Sequence, residues 1–250
     1  MSQNRTILIT GAGSGLGRGL SLYLAECDHT VVAADIDFAS ARDTAQKNPG
    51  PGRITPLELD VTRDDHLERI QDPVDVLINN AGLQHVASLE DFPQGLWERL
   101  IDVMINGAAR MTRAVLPGMR ERGFGRIVNT GSVHSLAASP YKTAYATAKH
   151  GLVGFSRALA LETADTDITI NTICPAYIRT PLVDAQIAGQ AKAHGISESE
   201  VIDRIMLEPM PKKCFITVEE VGAALEYLVS PAARNMTGQL LVLDGGWTCR

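Results

Sequence analysis

A chain of 250 residues is long enough for one large α/β domain with a buried core and leaves little for a second. With 45% hydrophobic and 21% charged residues the composition is that of a globular protein, not a disordered one, and a formal net charge of −6 argues against nucleic-acid backbones or anionic lipid as partners. Cys27, Cys174, Cys214 and Cys249 lie apart with no C-x-x-C pair, so no metal site and no disulfide framework is expected, and reduced thiols in the cytoplasm are.

Seven short, mostly apolar runs read as strands in chain order: Arg5 to Thr10, Thr30 to Ala34, Ile54 to Leu59, Val74 to Asn79, Gly125 to Gly131, Thr169 to Cys174 and Gln239 to Leu243. Amphipathic segments alternate with them at Gly15 to Glu26, Phe38 to Lys47, Asp64 to Ile70, Gln94 to Arg122, Thr143 to Ala164 and Val218 to Leu228. The alternation predicts a single-domain, Rossmann-type, doubly wound sheet of about seven parallel strands with helices on both faces, spanning residues 1–250. Asp64 to Ile70 is brief for a helix, and Gly107 and Pro117 mark bends within Gln94 to Arg122. The longest insertion, residues 181–211, carries helical patches at Val183 to Ala191 and Glu198 to Met206 and is expected to form a substrate lid. The N-terminus shows no cationic start followed by an apolar run, and no segment reaches the ~20 apolar residues of a membrane span.

Thr10-Gly11-Ala12-Gly13-Ser14-Gly15-Leu16-Gly17 leaves the first strand and opens the first helix, so its amides are expected to face a pyrophosphate. The pattern is T-G-x-x-x-G-x-G, which departs from G-x-G-x-x-G because Leu16 and Arg18 stand where that fingerprint differs. Asp35 ends the second strand about 20 residues further on, where a carboxylate accepts hydrogen bonds from an adenine ribose; read otherwise, it is an ordinary turn residue. Asp35 and Asp37 would repel a 2′-phosphate, with Ser14 in place of a cation and Arg18 expected to face solvent, which favours NAD over NADP. Asp60 and Val61 are placed to meet the adenine, with Thr62 expected to take the helix-capping role and leave Asp60 free. Asn79-Asn80-Ala81-Gly82 ends the fourth strand with residues small enough for close approach to a cofactor, or forms a simple turn.

Tyr145 and Lys149 are four residues apart on a predicted helix and share a face. A phenol titrates near pH ~10, and making it a base near neutrality requires ~4 kcal/mol. One cation at ~4 Å in an effective dielectric of ~20 supplies about that much before desolvation is counted, which gives Lys149 its expected role, and oxidised nicotinamide would add to it. Ser132 follows the fifth strand without a Gly-x-Ser-x-Gly elbow, so a hydrogen-bonding role beside Tyr145 fits better than a nucleophilic one. Asn106 is expected to hold a water linked to Lys149; as a lone helical Asn it is otherwise a solvated or packing residue.

Taken together, Thr10-Gly11-x-x-x-Gly15-x-Gly17, Asp60, Asn79-Asn80-Ala81-Gly82, Asn106, Ser132, Tyr145-x-x-x-Lys149, Pro175 and Thr180 resemble the short-chain dehydrogenase/reductase family over essentially the whole chain. The resemblance implies a catalytic tetrad of Asn106, Ser132, Tyr145 and Lys149, cofactor contacts that also include Ile178, and an approach of Thr180 to the nicotinamide carboxamide. It also implies a homotetramer paired through the long helices. Within the family, Asn80-Ala-Gly-Leu-Gln-His-Val-Ala, Ser132-Val-His-Ser, Lys149-His-Gly-Leu-Val-Gly, Thr180-Pro-Leu-Val and Asp244-Gly-Gly-Trp247 resemble bacterial D-3-hydroxybutyrate dehydrogenases. That likeness implies a carboxylate site of Gln84, His134, Lys142 and Gln186, closed by Trp247, and oxidation of a short 3-hydroxy acid with NAD as its cofactor. Other readings are a different small polar alcohol, sugar acid or ketone as substrate, or a catalytically idle NAD-binding regulator. The short stretch between Asp60 and Val74, Ala176 after Pro175, and Pro140-Tyr141 before Lys142 depart from the subgroup pattern.

Overall fold

A computed structural model describes residues 4–249. Seven strands, β1 (Thr6–Thr10), β2 (Thr30–Asp35), β3 (Arg53–Glu58), β4 (Val76–Asn79), β5 (Gly125–Thr130), β6 (Ile168–Pro175) and β7 (Leu240–Leu243), form one sheet. Their order is β3-β2-β1-β4-β5-β6-β7, and every pairing is parallel. The seven-stranded, doubly wound fold predicted above is therefore the one observed.

Alternation along β1 shows why both faces must be covered. Ile7 and Ile9 point into a core shared with α1 (Gly15–Glu26) and α8 (Val218–Val229), while Leu8 points into the opposite core with Met111 and Leu159. Those last two residues belong to α4 (Gly107–Arg122) and α5 (Thr143–Glu162). The remaining helices are α2 (Phe38–Gln46), α3 (Gln94–Ile101), α6 (Pro181–His194) and the short α7 (Glu198–Val201). Side-chain caps start several of them: Asp37 accepts from Ala39 and Ser40, Thr180 from Val183, and Ser197 and Thr217 form capping boxes with Glu200 and Glu220.

Departures from the predicted elements have local causes. Asp64–Arg69 is a 3-10 helix, not an α-helix. Thr62 does not cap it; instead its amide and hydroxyl both donate to Asp60 Oδ1, at 2.9 and 2.7 Å. Gln94 to Arg122 runs on without a break through Pro117, but a π turn at Asp102–Asn106 separates α3 from α4 and shifts the helical register by one residue. In the 181–211 insertion α6 reaches further than either sequence patch suggested.

Strand order reverses between β1 and β4, and their carboxyl ends open a crevice there. A buried polar seam locks α5 beside it. Asn79 Nδ2 donates to Asn129 Oδ1, Asn129 Nδ2 to Ser156 Oγ, and Ser156 Oγ shares a hydrogen bond with Thr172 Oγ1, each at 2.8 Å. Because Ser156 belongs to α5, the seam fixes the helix that carries Tyr145 and Lys149 against the sheet.

Candidate active site

The crevice is a cleft of about 1160 Å3 running from Asp35 and the glycine turn to Val183 and Gln186 of α6. At its first end the backbone dictates the residue types. Gly11 adopts φ +66°, and a Cβ there would sit 2.9 Å from the Ala81 Cα, while one on Gly17 would collide with the Gly11 carbonyl. Thr10 ties the two strand ends together: its hydroxyl accepts from the amides of Asn80 and Ala81 at 3.0 Å, and its carbonyl accepts from Asn80 Nδ2 at 3.0 Å.

A dinucleotide fits this end. Ser14 caps α1 in an extended conformation with its side chain unused for capping, and no acidic residue occupies the first turn of the 12-residue helix, so the N-terminal amides are open to an anion. Asp35 is aimed at the loop, with Oδ2 accepting from the Gly13 amide at 2.8 Å and Oδ1 from the Asp37 amide at 2.9 Å. Asp37 itself is used as the α2 cap. Arg18 does not face solvent as expected. It donates to the Gly13 carbonyl at 2.5 Å and to Thr44 Oγ1 at 3.1 Å and pairs with Asp43 at 3.0 Å, so its charge is committed behind the loop. Leu16, Asp60, Val61, Asn80, Ala81, Gly82, Pro175, Ile178 and Thr180 all line the cleft, and Thr180 lies beside Gly15. Asp60 is less free than expected because one of its oxygens already serves Thr62.

In the middle of the cleft stand Ser132, Tyr145 and Lys149. Lys149 is 5% exposed; its Nζ donates to the Thr130 carbonyl at 2.5 Å and lies 5.4 Å from the Tyr145 ring centre. Burial holds the ammonium down to about 8. Burial also pushes the Tyr145 phenol up to about 12, against a hydrogen bond with Ser132 that lowers it. Lys149 was expected to be about sufficient, before desolvation, to make Tyr145 a base near neutrality, with oxidised nicotinamide adding to it; burial of the phenol raises what these charges must offset.

Asn106 lines the cleft, but no hydrogen bond joins its side chain to Lys149 among the described residues. Its side chain is exposed and donates to Asp102 Oδ1 at 3.0 Å. Within the π turn the inward position belongs to Met104, 2% exposed, which packs by Gly82 and lines a small cavity behind Lys149. The side-chain role expected for Asn106 therefore does not fit this geometry.

At the far end Lys142 is 8% exposed, and it enters the cleft although Tyr141 before it takes a left-handed φ of 65°. Its Nζ lies 3.4 Å from His134 Nε2 and 3.3 Å from the Tyr177 hydroxyl. The His134 Nδ1 sits 3.1 Å from the Ala137 carbonyl, and burial together with the neighbouring Lys142 ammonium lowers the imidazole to about 4. His134 is thus neutral, with its proton on Nδ1 and its Nε2 lone pair accepting from Lys142. It was expected among the groups holding a substrate acid; it lines the cleft and supports Lys142 there. Gln186 on α6 donates to Gln84 Oε1 at 2.9 Å, which joins the 181–211 segment to the chain after β4. Trp247 stands behind this group, 5.8 Å from the His134 and Tyr177 ring centres, and does not itself line the cleft. Tyr177 was missed by sequence reasoning, although an aromatic between Pro175 and Thr180, both expected at the cofactor, was a signal that it faces the same cleft.

The family profile described as short chain dehydrogenase matches residues 5–191. D-beta-hydroxybutyrate dehydrogenase of Rhizobium meliloti is 38% identical over 98% of this chain and 99% of its own length. The protein of the same name from Cupriavidus necator is 38% identical over the full length of both. 2-Dehydro-3-deoxy-D-gluconate 5-dehydrogenase of Bacillus subtilis is 30% identical over 99% of this chain and 96% of its own. With the parallel sheet, the glycine turn and the paired Tyr145 and Lys149 in one crevice, the chain belongs to the short-chain dehydrogenase family, as an oxidoreductase acting on CH–OH groups.

Proposed function

We propose that this protein is an NAD-dependent dehydrogenase of a short 3-hydroxy monocarboxylic acid, oxidising (R)-3-hydroxybutyrate to acetoacetate. One observation carries the choice of an acid. The Lys142 ammonium is buried at the cleft wall, its two hydrogen-bonding neighbours are neutral, and no carboxylate pairs with it among the described residues. A buried cation without a counter-ion costs stability unless the ligand brings the anion. The full-length likeness to two D-beta-hydroxybutyrate dehydrogenases supports the same reading.

Gly11, Gly15, Gly17, Ser14 and Asp35 would hold the dinucleotide, and the Asp35 carboxylate, with Arg18 turned away, favours NAD over NADP. When bound, oxidised nicotinamide supplies the hydride acceptor and a positive charge in the cleft. Lys142 binds the substrate carboxylate, and Gln84 and Gln186 close over it from floor and lid. Ser132 holds the substrate hydroxyl beside Tyr145, which in its phenolate form, favoured by the positive charge of Lys149 and of bound oxidised nicotinamide, takes the hydroxyl proton while the hydride leaves the same carbon for the nicotinamide. Lys149 keeps positive charge near the phenol and orients the cofactor side of the site. The cytoplasm is the proposed compartment and a homotetramer the proposed assembly, the latter supported by outward apolar side chains such as Leu161 of α5, 81% exposed. Light scattering reads the assembly.

The test compares (R)-3-hydroxybutyrate with its methyl ester, following NADH absorbance. The acid is expected to be favoured at least about tenfold in kcat/KM. Equal rates, or turnover of uncharged alcohols alone, would refute the acid assignment.

A further inference from the structure

Tyr177 follows β6 on a segment pinned at several points. Ala176 donates to the Leu243 carbonyl at 2.8 Å, Ile216 donates to the Tyr177 carbonyl at 2.9 Å, and Ile178 bridges Ile216. The ring is tilted 40° against Trp247 and lies 5.4 Å from the Lys142 Nζ. Neither the backbone nor the ring therefore has freedom to swing away from the cleft it lines.

The hydrogen-bond inventory decides what its hydroxyl does. An ammonium has three protons and no lone pair, so Lys142 can only donate. One proton goes to His134 Nε2 and one to the Tyr177 oxygen, which leaves a third for a ligand. Since Tyr177 accepts from Lys142, its own proton points elsewhere, and no acceptor for it is found among the described residues. Burial raises the phenol, so that proton stays in place at neutral pH. The third ammonium proton and the phenolic proton then stand side by side, 3.3 Å apart at their heavy atoms, which is the arrangement that two-point recognition of a carboxylate uses.

We infer that Tyr177 is a specificity-determining residue of this site, donating its hydroxyl proton to the second oxygen of the substrate carboxylate while holding the Lys142 ammonium in register for the first. The inference rests on the reading of the far end of the cleft as an acid site. It assigns to Tyr177 a polar role, where Trp247 behind it has only a packing one.

Tyr177→Phe tests this, because it removes the hydroxyl and keeps the ring that packs on Trp247. The ratio of kcat/KM for (R)-3-hydroxybutyrate to that for its methyl ester is expected to fall about tenfold, mostly through KM for the acid. A second measurement avoids turnover: butyrate titrated into the NAD-loaded protein, read by tryptophan fluorescence, is expected to bind about tenfold more weakly. If the wild-type protein shows the acid preference and the Tyr177→Phe protein keeps it, with butyrate affinity unchanged, the inference is overturned and the acid site stands. If the wild-type protein shows no acid preference, the acid site itself falls, and this inference with it.

Discussion

Replacing Lys142 by Met removes one charge and keeps most of the side-chain volume. A carboxylate at ~3 Å from the ammonium in an effective dielectric of ~20 gains about 5–6 kcal/mol before desolvation is counted. Hydrogen bonds to charged groups retain about 1.5–3 kcal/mol of such gains, and the 8% exposure of Lys142 places it at the upper end. About 3 kcal/mol corresponds to a fall of roughly 10^2 in kcat/KM for the acid. The methyl ester lacks the anion and should change by less than about threefold, so the acid-to-ester ratio is the quantity to measure. Stability provides an independent check. Removing a buried cation relieves desolvation but strips His134 Nε2 and the Tyr177 oxygen of their donor, and the two effects offset to within about 1 kcal/mol, or about 2–4 °C in Tm. Equal losses for acid and ester, or a Tm drop well beyond that range, would show that Lys142 is a structural residue and refute the reasoning.

Tyr145→Phe should lower kcat by at least about 10^3 while NADH binding, followed by fluorescence titration, stays within about threefold; substantial residual turnover would remove Tyr145 as the proton carrier. Lys149 links stability to pH. Its folded-state value of about 8 lies below the usual lysine range, so between there and pH ~10.5 the unfolded chain binds the extra proton and folding strengthens as pH rises. Urea melts of the cofactor-free protein should therefore gain up to about 3 kcal/mol across that window relative to Lys149→Met, and parallel profiles would contradict it. Asp35→Ala should reduce the NAD-to-NADP ratio of kcat/KM by about 10- to 100-fold, and an unchanged ratio would defeat its role at the ribose.

Much of the fold was legible because its signals are local. Doubly buried strands must be short apolar runs, and all seven, Thr6–Thr10 to Leu240–Leu243, lie within two residues of where periodicity placed them. The glycine turn was legible because only glycine tolerates the φ of Gly11 and the contact between Gly17 and the Gly11 carbonyl. Asn106 shows the limit. Counting in turns of 3.6 residues fails across a π turn, so which of Met104 and Asn106 faces Lys149 is set by the register shift.

By itself the sequence determined the order of strands and helices, the cofactor-loop chemistry and the pairing of Tyr145 with Lys149, since each depends on backbone conformation or on spacing within one helix. Only the tertiary structure decided the protonation of Tyr145 and His134, the commitment of Arg18 to Asp43, and the meeting of Lys142 with Tyr177, which are 35 residues apart. Those depend on how much water is excluded and on which neighbours distant segments bring. Desolvation and hydrogen-bond partnership are properties of the packed molecule, and spacing along the chain does not encode them.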